Sequence, residues 1–210
     1  ATSKWDLMPG AASRVGGTQD QPWVSLKNGN VFRWKGDNWE YTPGVRAVDV
    51  GHGWVISDET LPGDQEKPTR YFVYRYNEHK KTWEKTTQLG QYISGTHSRP
   101  WVWYRDTPWR FDGITWRSAK QSKPRPFDFF AGGWDIGPGT GIFMDSYGGT
   151  VEPNILVWSF GLGEHDSDPH TWKADNTIVW TYAQRSSAAI GGTEHYPMVV
   201  DKDGKVWMHQ

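Results

Sequence analysis

Phe32-Arg33-Trp34-Lys35-Gly36-Asp37-Asn38-Trp39-Glu40 is the stretch from which the rest of the chain can be read. Two aromatics flank an arginine, a Gly-bearing turn follows, and a Trp with a charged neighbour closes the phrase. Alternation of period two puts Phe32 and Trp34 on one face of a strand and Arg33 on the other. The triplet returns as Tyr74-Arg75-Tyr76, Trp109-Arg110-Phe111, Trp158-Ser159-Phe160 and, more loosely, Trp207-Met208-His209. The closing Trp returns too: Trp5, Trp83, Trp116 and Trp172 each precede a charged residue. Recurrence at this spacing is the signature of a repeat architecture.

Two further phrases complete each unit. A large apolar residue before another apolar one stands ahead of the triplet, as Trp23-Val24, Trp54-Val55, Trp101-Val102, Ile142-Phe143 and Met198-Val199. Such short apolar runs suit strands buried on both faces. After the closing Trp comes a phrase ending in Gly: Arg14-Val15-Gly16, Val48-Asp49-Val50-Gly51, Ile93-Ser94-Gly95, Phe130-Ala131-Gly132 and Ala189-Ile190-Gly191. In chain order these are strands A, B, C and D. Lys27-Asn28-Gly29-Asn30 and Asp201-Lys202-Asp203-Gly204 are A-to-B hairpin signals, and Pro9-Gly10 and Pro43-Gly44 mark C-to-D turns. One unit is divided, with A and B near the C-terminus and C and D near the N-terminus. That division implies a ring closed by pairing the two ends. The expectation is an all-β chain, a five-bladed β-propeller of four-stranded antiparallel blades, forming a single domain over residues 1–210. Six blades is the alternative count. Ring closure also removes sheet edges that would invite aggregation.

Composition narrows the function classes. The 210 residues include 15 Trp, 9 Tyr and 8 Phe, so the core is aromatic with Val support. A net charge of -1 provides no basic field for nucleic acid. No apolar run approaches the roughly 20 residues of a membrane-spanning helix, so no membrane insertion is expected. With no Cys there is no disulfide or thiolate site, and the redox compartment stays open. The first residues lack the shape of a signal peptide, and the expectation is a soluble chain, secreted or cytoplasmic, with the choice left open.

The stretch from Asn30 to Gly51, with its hairpin strand, Gly-bearing turn, Trp39, Pro43-Gly44 and final Val50-Gly51, resembles the tectonin repeat. Gly53 to Gly95 and Lys4 to Gly17 match in part, and Trp134 to Gly191 matches poorly. Tectonin-type proteins are β-propeller lectins, some of which recognise methylated sugars or bacterial lipopolysaccharide. The resemblance therefore implies glycan binding without catalysis. The family typically has six units, which are more alike than those of this chain.

With this strand order the D-to-A connections and B-to-C loops share one end of the ring. The D-to-A connections carry Gln19 and Asp20, His52, His97 and Arg99, Trp134, and Glu194, His195 and Tyr196. Three of them run directly into Trp23, Trp54 or Trp101. Polar side chains beside aromatic walls are the usual make-up of a small-ligand site, and for a sugar the C–H face stacks while the hydroxyls are hydrogen-bonded. These twelve residues form the expected ligand-binding set. Core packing competes for the in-phase Trp23, Trp54 and Trp101, whereas Trp134 occupies a Gly-Gly-Trp-Asp loop where no other unit has a Trp. The recurring closing Trps are expected to seal one blade against the next. Arg33, Arg75 and Arg110 are expected to stack on neighbouring Trp rings.

His165, Asp166, Asp168 and His170 fall within one B-to-C loop and could ligate a metal, but their spacing matches no established motif. No cofactor is expected. Asp20, Asp135 and Glu194 could converge as carboxylates of a glycan-acting hydrolase or lyase, with His52, His97 or His195 as base. Against that, there is no nucleophile elbow, P-loop or dinucleotide fingerprint. The function expected is a multivalent carbohydrate-binding protein whose partners are glycans, with homo-oligomers as a further route to avidity. A hydrolase or lyase and a protein-interaction platform remain as alternatives.

Overall fold

The computed structural model describes residues 5–63, 69–98, 100–104, 107–118, 135–137, 142–146, 155–162, 172–180, 187–192, 197–201 and 203–209, with backbone alone over 135–180. Its strands in chain order are β1 (Trp5–Leu7), β2 (Arg14–Gly17), β3 (Pro22–Ser25), β4 (Val31–Trp34), β5 (Trp39–Tyr41), β6 (Ala47–Val50), β7 (Trp54–Thr60), β8 (Tyr71–Asn77), β9 (Thr82–Gly90) and β10 (Tyr92–Gly95). They continue as β11 (Pro100–Tyr104), β12 (Thr107–Phe111), β13 (Trp116–Ser118), β14 (Asp135–Gly137), β15 (Ile142–Ser146), β16 (Ile155–Leu162), β17 (Trp172–Trp180), β18 (Ser187–Gly192), β19 (Pro197–Asp201) and β20 (Val206–His209). No helix occurs among the described residues, so none is long and apolar enough to cross a membrane.

Antiparallel four-stranded sheets are set in a ring, which makes the fold a β-propeller. They run β2-β3-β4-β5, β6-β7-β8-β9, β10-β11-β12-β13 and β18-β19-β20-β1 from the ring's axis outward. Strands β14 to β17 pair with one another in the same order, and β14 lies beside both β10 and β18. The termini meet in one blade, where Trp5, Asp6 and Leu7 pair with His209, Met208 and Trp207.

One boundary differs from the sequence expectation. Strand D does not end a unit but opens the next one, because its short connection folds it back on strand A as a hairpin. The closing blade therefore takes β18, β19 and β20 from the C-terminal part and only β1 from the N-terminal part. Pairing also corrects two alignments. Asp135–Gly137, expected in a D-to-A connection, is itself the strand paired with β15, in place of Phe130-Ala131-Gly132. Gly16, Ser94 and Gly191 face Trp23, Trp101 and Met198, so Ser94 rather than Gly95 holds the glycine's place in its blade.

The recurring aromatics assemble into one motif repeated between blades. Trp23 packs edge-on against Tyr76 at 5.6 Å and Trp83 at 5.9 Å in the next blade. Trp54 packs in the corresponding way, tilted against Phe111 at 5.5 Å and edge-on to Trp116 at 5.7 Å. At the closing seam Met198 takes the Trp position and packs with Trp34 and Trp39. The closing Trps also clamp the C-to-D turn of the preceding blade. Trp39 Nε1 donates to Pro9 O at 2.7 Å and Trp83 Nε1 to Thr42 O at 3.2 Å. Each clamp combines large apolar burial with a satisfied indole N–H. The sealing role expected of these residues thus holds for Trp39 and Trp83. The arginines stack as expected, with Arg33, Arg75 and Arg110 over Trp23, Trp54 and Trp101 at 5.9, 5.4 and 5.8 Å.

Candidate functional site

The D-to-A connections are unequal, and that inequality shapes their end of the ring. Between β2 and β3, and again between β10 and β11, four residues separate the hairpin's strands: Thr18 to Gln21 and Thr96 to Arg99. Between β6 and β7 the backbone turns in the short His52-Gly53 segment, with Gly51 N bonded to Trp54 O at 2.8 Å. The short turn therefore sits between two longer loops, and both reach it. Gln21 Oε1 accepts from His52 Nε2 at 2.9 Å. From the other side, His97 hydrogen-bonds the His52 backbone, and the two imidazole centroids lie 6.1 Å apart. Arg75 Nη2 donates to His97 Nε2 at 3.3 Å, and Trp54 Nε1 donates to His97 O at 2.8 Å.

Electrostatics follow from this packing. Burial, and then the neighbouring His97, push the His52 pKa down to about 4, against a small opposing pull from Glu78. Burial, and then Arg75, also lower that of His97. Both rings hold protons less tightly folded than unfolded. Their contribution to stability is complete above the ordinary histidine value of about 6.5 and is lost as pH falls below it.

Four buried polar side-chain atoms find no partner among the described residues: the His52 Nδ1 acceptor, the Trp23 and Trp109 Nε1 donors and Ser94 Oγ. The contrast with Trp54 is physical. Trp54 reaches the carbonyl of a long loop in the next blade, whereas the corresponding connection beyond Trp23 is the short turn. Buried polar groups are nearly always paired, so these atoms are exceptions among the described residues.

Of the expected ligand set, the structure brings His52 and His97 together with Gln21. Gln19 is half-buried and Asp20 is exposed on the same loop as Gln21. Trp23, Trp54 and Trp101 are 0, 1 and 4 % exposed. Their rings form the floor beneath the loops, with Trp23 and Trp54 committed to the interblade motif. Arg99, Trp134, Glu194, His195 and Tyr196 lie outside the described residues, as do His165, Asp166, Asp168 and His170. Gln21, Arg75 and Glu78 join the cluster without having been singled out for it in the sequence. The short His52-Gly53 connection was the available signal, since it brings neighbouring loops together.

A second opening lies at the opposite end of the ring. A cavity of about 660 Å³ is walled by Arg14, Ser13, Lys27, Ala47, Asp201 and Asp203, among others. Its charges are largely engaged. Asp201 accepts from Asp203 N, Lys205 N and Trp207 Nε1. Arg14 Nε lies 4.0 Å from Asp49, whose other oxygen accepts from Ile93 N at 2.6 Å and so ties β6 to β10. Asp49 is 2 % exposed, and burial, opposed by Arg14, pushes its carboxyl up to about 6. The folded state thus binds this proton more tightly than the unfolded chain, so Asp49 loses stabilising effect as pH rises from the usual carboxylate range through 6. Asp49→Asn protein should accordingly gain on wild type by about 2–3 kcal/mol between pH 4 and pH 7.5. Urea unfolding at the two pH values would show it, and a constant difference would rule out a raised carboxyl.

No protein-family model matches the sequence, and no curated protein matches it significantly.

Proposed function

We propose that the protein is a carbohydrate-binding lectin, a five-bladed propeller with β14 to β17 as its fifth blade, which acts through the D-to-A end without catalysis. The observation that carries this reading is the polar cluster over the D-to-A end, where Gln21 meets His52 and His52 meets His97. Sugar hydroxyls both donate and accept, which suits such a mixed set of side chains. The surrounding side chains suit the same partner, since Gln19, Asp20 and Gln21 offer further donors and acceptors on one loop. The resemblance of the stretch from Asn30 to Gly51 to the tectonin repeat supports it independently. Pseudo-equivalent loops on several blades favour multivalent binding, in which weak single sites add avidity.

A glycan array including O-methylated and microbial sugars tests the proposal. The expected result is binding to one glycan class, reduced by a Gln19→Ala, Asp20→Ala double change in protein that still folds. An empty array with turnover of a chromogenic glycoside would replace the lectin with a hydrolase. Neither binding nor turnover would favour a protein-interaction platform.

A further inference from the structure

We propose that His52 and His97 form an acid-operated latch across the D-to-A connections of three successive blades, closed while both imidazoles are neutral and opened when they take up protons beside Arg75.

The hydrogen-bond directions define the closed state. An arginine can only donate, so His97 Nε2, 3.3 Å from Arg75 Nη2, carries a lone pair. The proton of His97 is then on Nδ1, from which it donates to the His52 backbone. His52 Nε2 donates to Gln21 Oε1 at 2.9 Å, which leaves Nδ1 bare and buried. Trp54 Nε1 fastens the His97 carbonyl at 2.8 Å. The chain Gln21–His52–His97–Arg75 thus runs from the β2–β3 loop, over the β6–β7 turn and the β10–β11 loop, to β8. Gly53 permits this closeness. Its φ is +69°, and a Cβ there would stand 2.6 Å from His97 Nδ1.

Protonation undoes each contact for a stated reason. One proton taken from solvent by His97 Nε2 turns the acceptor for Arg75 into a second donor and places two cations in contact. One proton on His52 Nδ1 creates a buried donor facing no described acceptor. The charged groups around the pair do not compensate. Arg75 repels, and Glu78, in the turn after β8, gives both oxygens to Arg33 Nη1 at 2.6 Å and one to Lys81 Nζ at 3.1 Å. Glu84 on β9 is bonded to Asn77 and Lys80. Parting the loops lets both imidazolium rings hydrate. Burial already holds both rings below the usual histidine range, His52 at about 4, so opening belongs to acid rather than neutral solution.

The latch makes no demand on what the loops bind, so its test needs no ligand. The full chain is titrated by NMR from pH 7.5 to 3.5, following the imidazole Cε1–H signals and exchange of the Trp54 indole N–H. Both rings should titrate below a free histidine peptide. Over the same range, indole exchange should rise roughly tenfold beyond its intrinsic pH dependence, with the sheet signal in circular dichroism retained. His97→Gln, whose amide takes no proton, should lose that step. Gly53→Ala should show fast indole exchange already at pH 7.5. An indole N–H that stays protected with both rings protonated would overturn the latch, as would an unchanged acid step in the His52→Gln, His97→Gln double variant.

Discussion

Gly191→Ala is expected to destabilise the protein by at least about 3 kcal/mol, while Gly51→Ala changes stability by less than about 1 kcal/mol. The two residues hold corresponding places, Gly191 facing Met198 within β18 and Gly51 facing Trp54 just past β6, so the residue type is matched and the space differs. A Cβ at Gly191 would lie 2.1 Å from Val15 O, and one at Gly16 would lie 2.2 Å from Val50 O. Both obstacles are backbone, which cannot swing aside as a long side chain can, so the inner strands would have to separate. At Gly51 the nearest atom would be Ser94 Cα at 3.5 Å, an ordinary contact. The protein makes the same comparison itself, since the third blade carries Ser94 in this place. Chemical denaturation of the two variants checks the contrast. Equal costs would mean that inner-strand spacing does not set the tolerance.

The blade pattern was legible in the sequence because its signals are periodic and redundant. Phe32, Tyr74 and Trp109 mark one strand position in three blades, and Trp39, Trp83 and Trp116 another. An insertion in one loop does not erase a pattern held at so many places. The unit boundary was not legible. Assigning strand D to the following blade depends on which neighbour it pairs with, and a phrase such as Arg14-Val15-Gly16 carries no mark of that partner. Site residues divided in the same way. His52 and His97 stood out as polar residues in connections, but their joining depends on the length difference between adjacent loops. Arg75 read as a stacking residue, and it does stack on Trp54, yet the same guanidinium also reaches His97. One side chain serving two contacts is invisible to a period-two pattern. The three A-strand tryptophans show the converse. Recurrence in phase already favoured core packing, and near-complete burial follows from the interblade motif.

Removing both carboxylates around Arg33 is expected to cost about 3–5 kcal/mol, more than the sum of the single changes. Arg33 is 1 % exposed, sandwiched between Trp23 and Tyr76. Its Nε bonds Glu40 on the same blade, and its Nη1 bonds Glu78 of the next at 2.6 Å. Burial opposes the charge, but the two carboxylates outweigh it and hold the guanidinium more firmly protonated than usual. Each carboxyl is in turn held below its ordinary range, Glu40 chiefly by its bond to Arg33 and Glu78 by the same contact against its own burial. Glu40→Gln or Glu78→Gln alone leaves one counter-charge in place, so each should cost only about 1–2 kcal/mol. The double Gln variant keeps acceptor oxygens within reach yet leaves a buried cation with no opposite charge. An arginine cannot escape by losing its proton, so the cost has to appear as lost stability. Added salt should rescue little of it, since screening acts weakly on a buried group. A double-mutant cycle in urea, at low and high salt, measures the coupling. Strict additivity would mean that one carboxylate suffices, and full rescue by salt would place the charge in water rather than in the seam between blades.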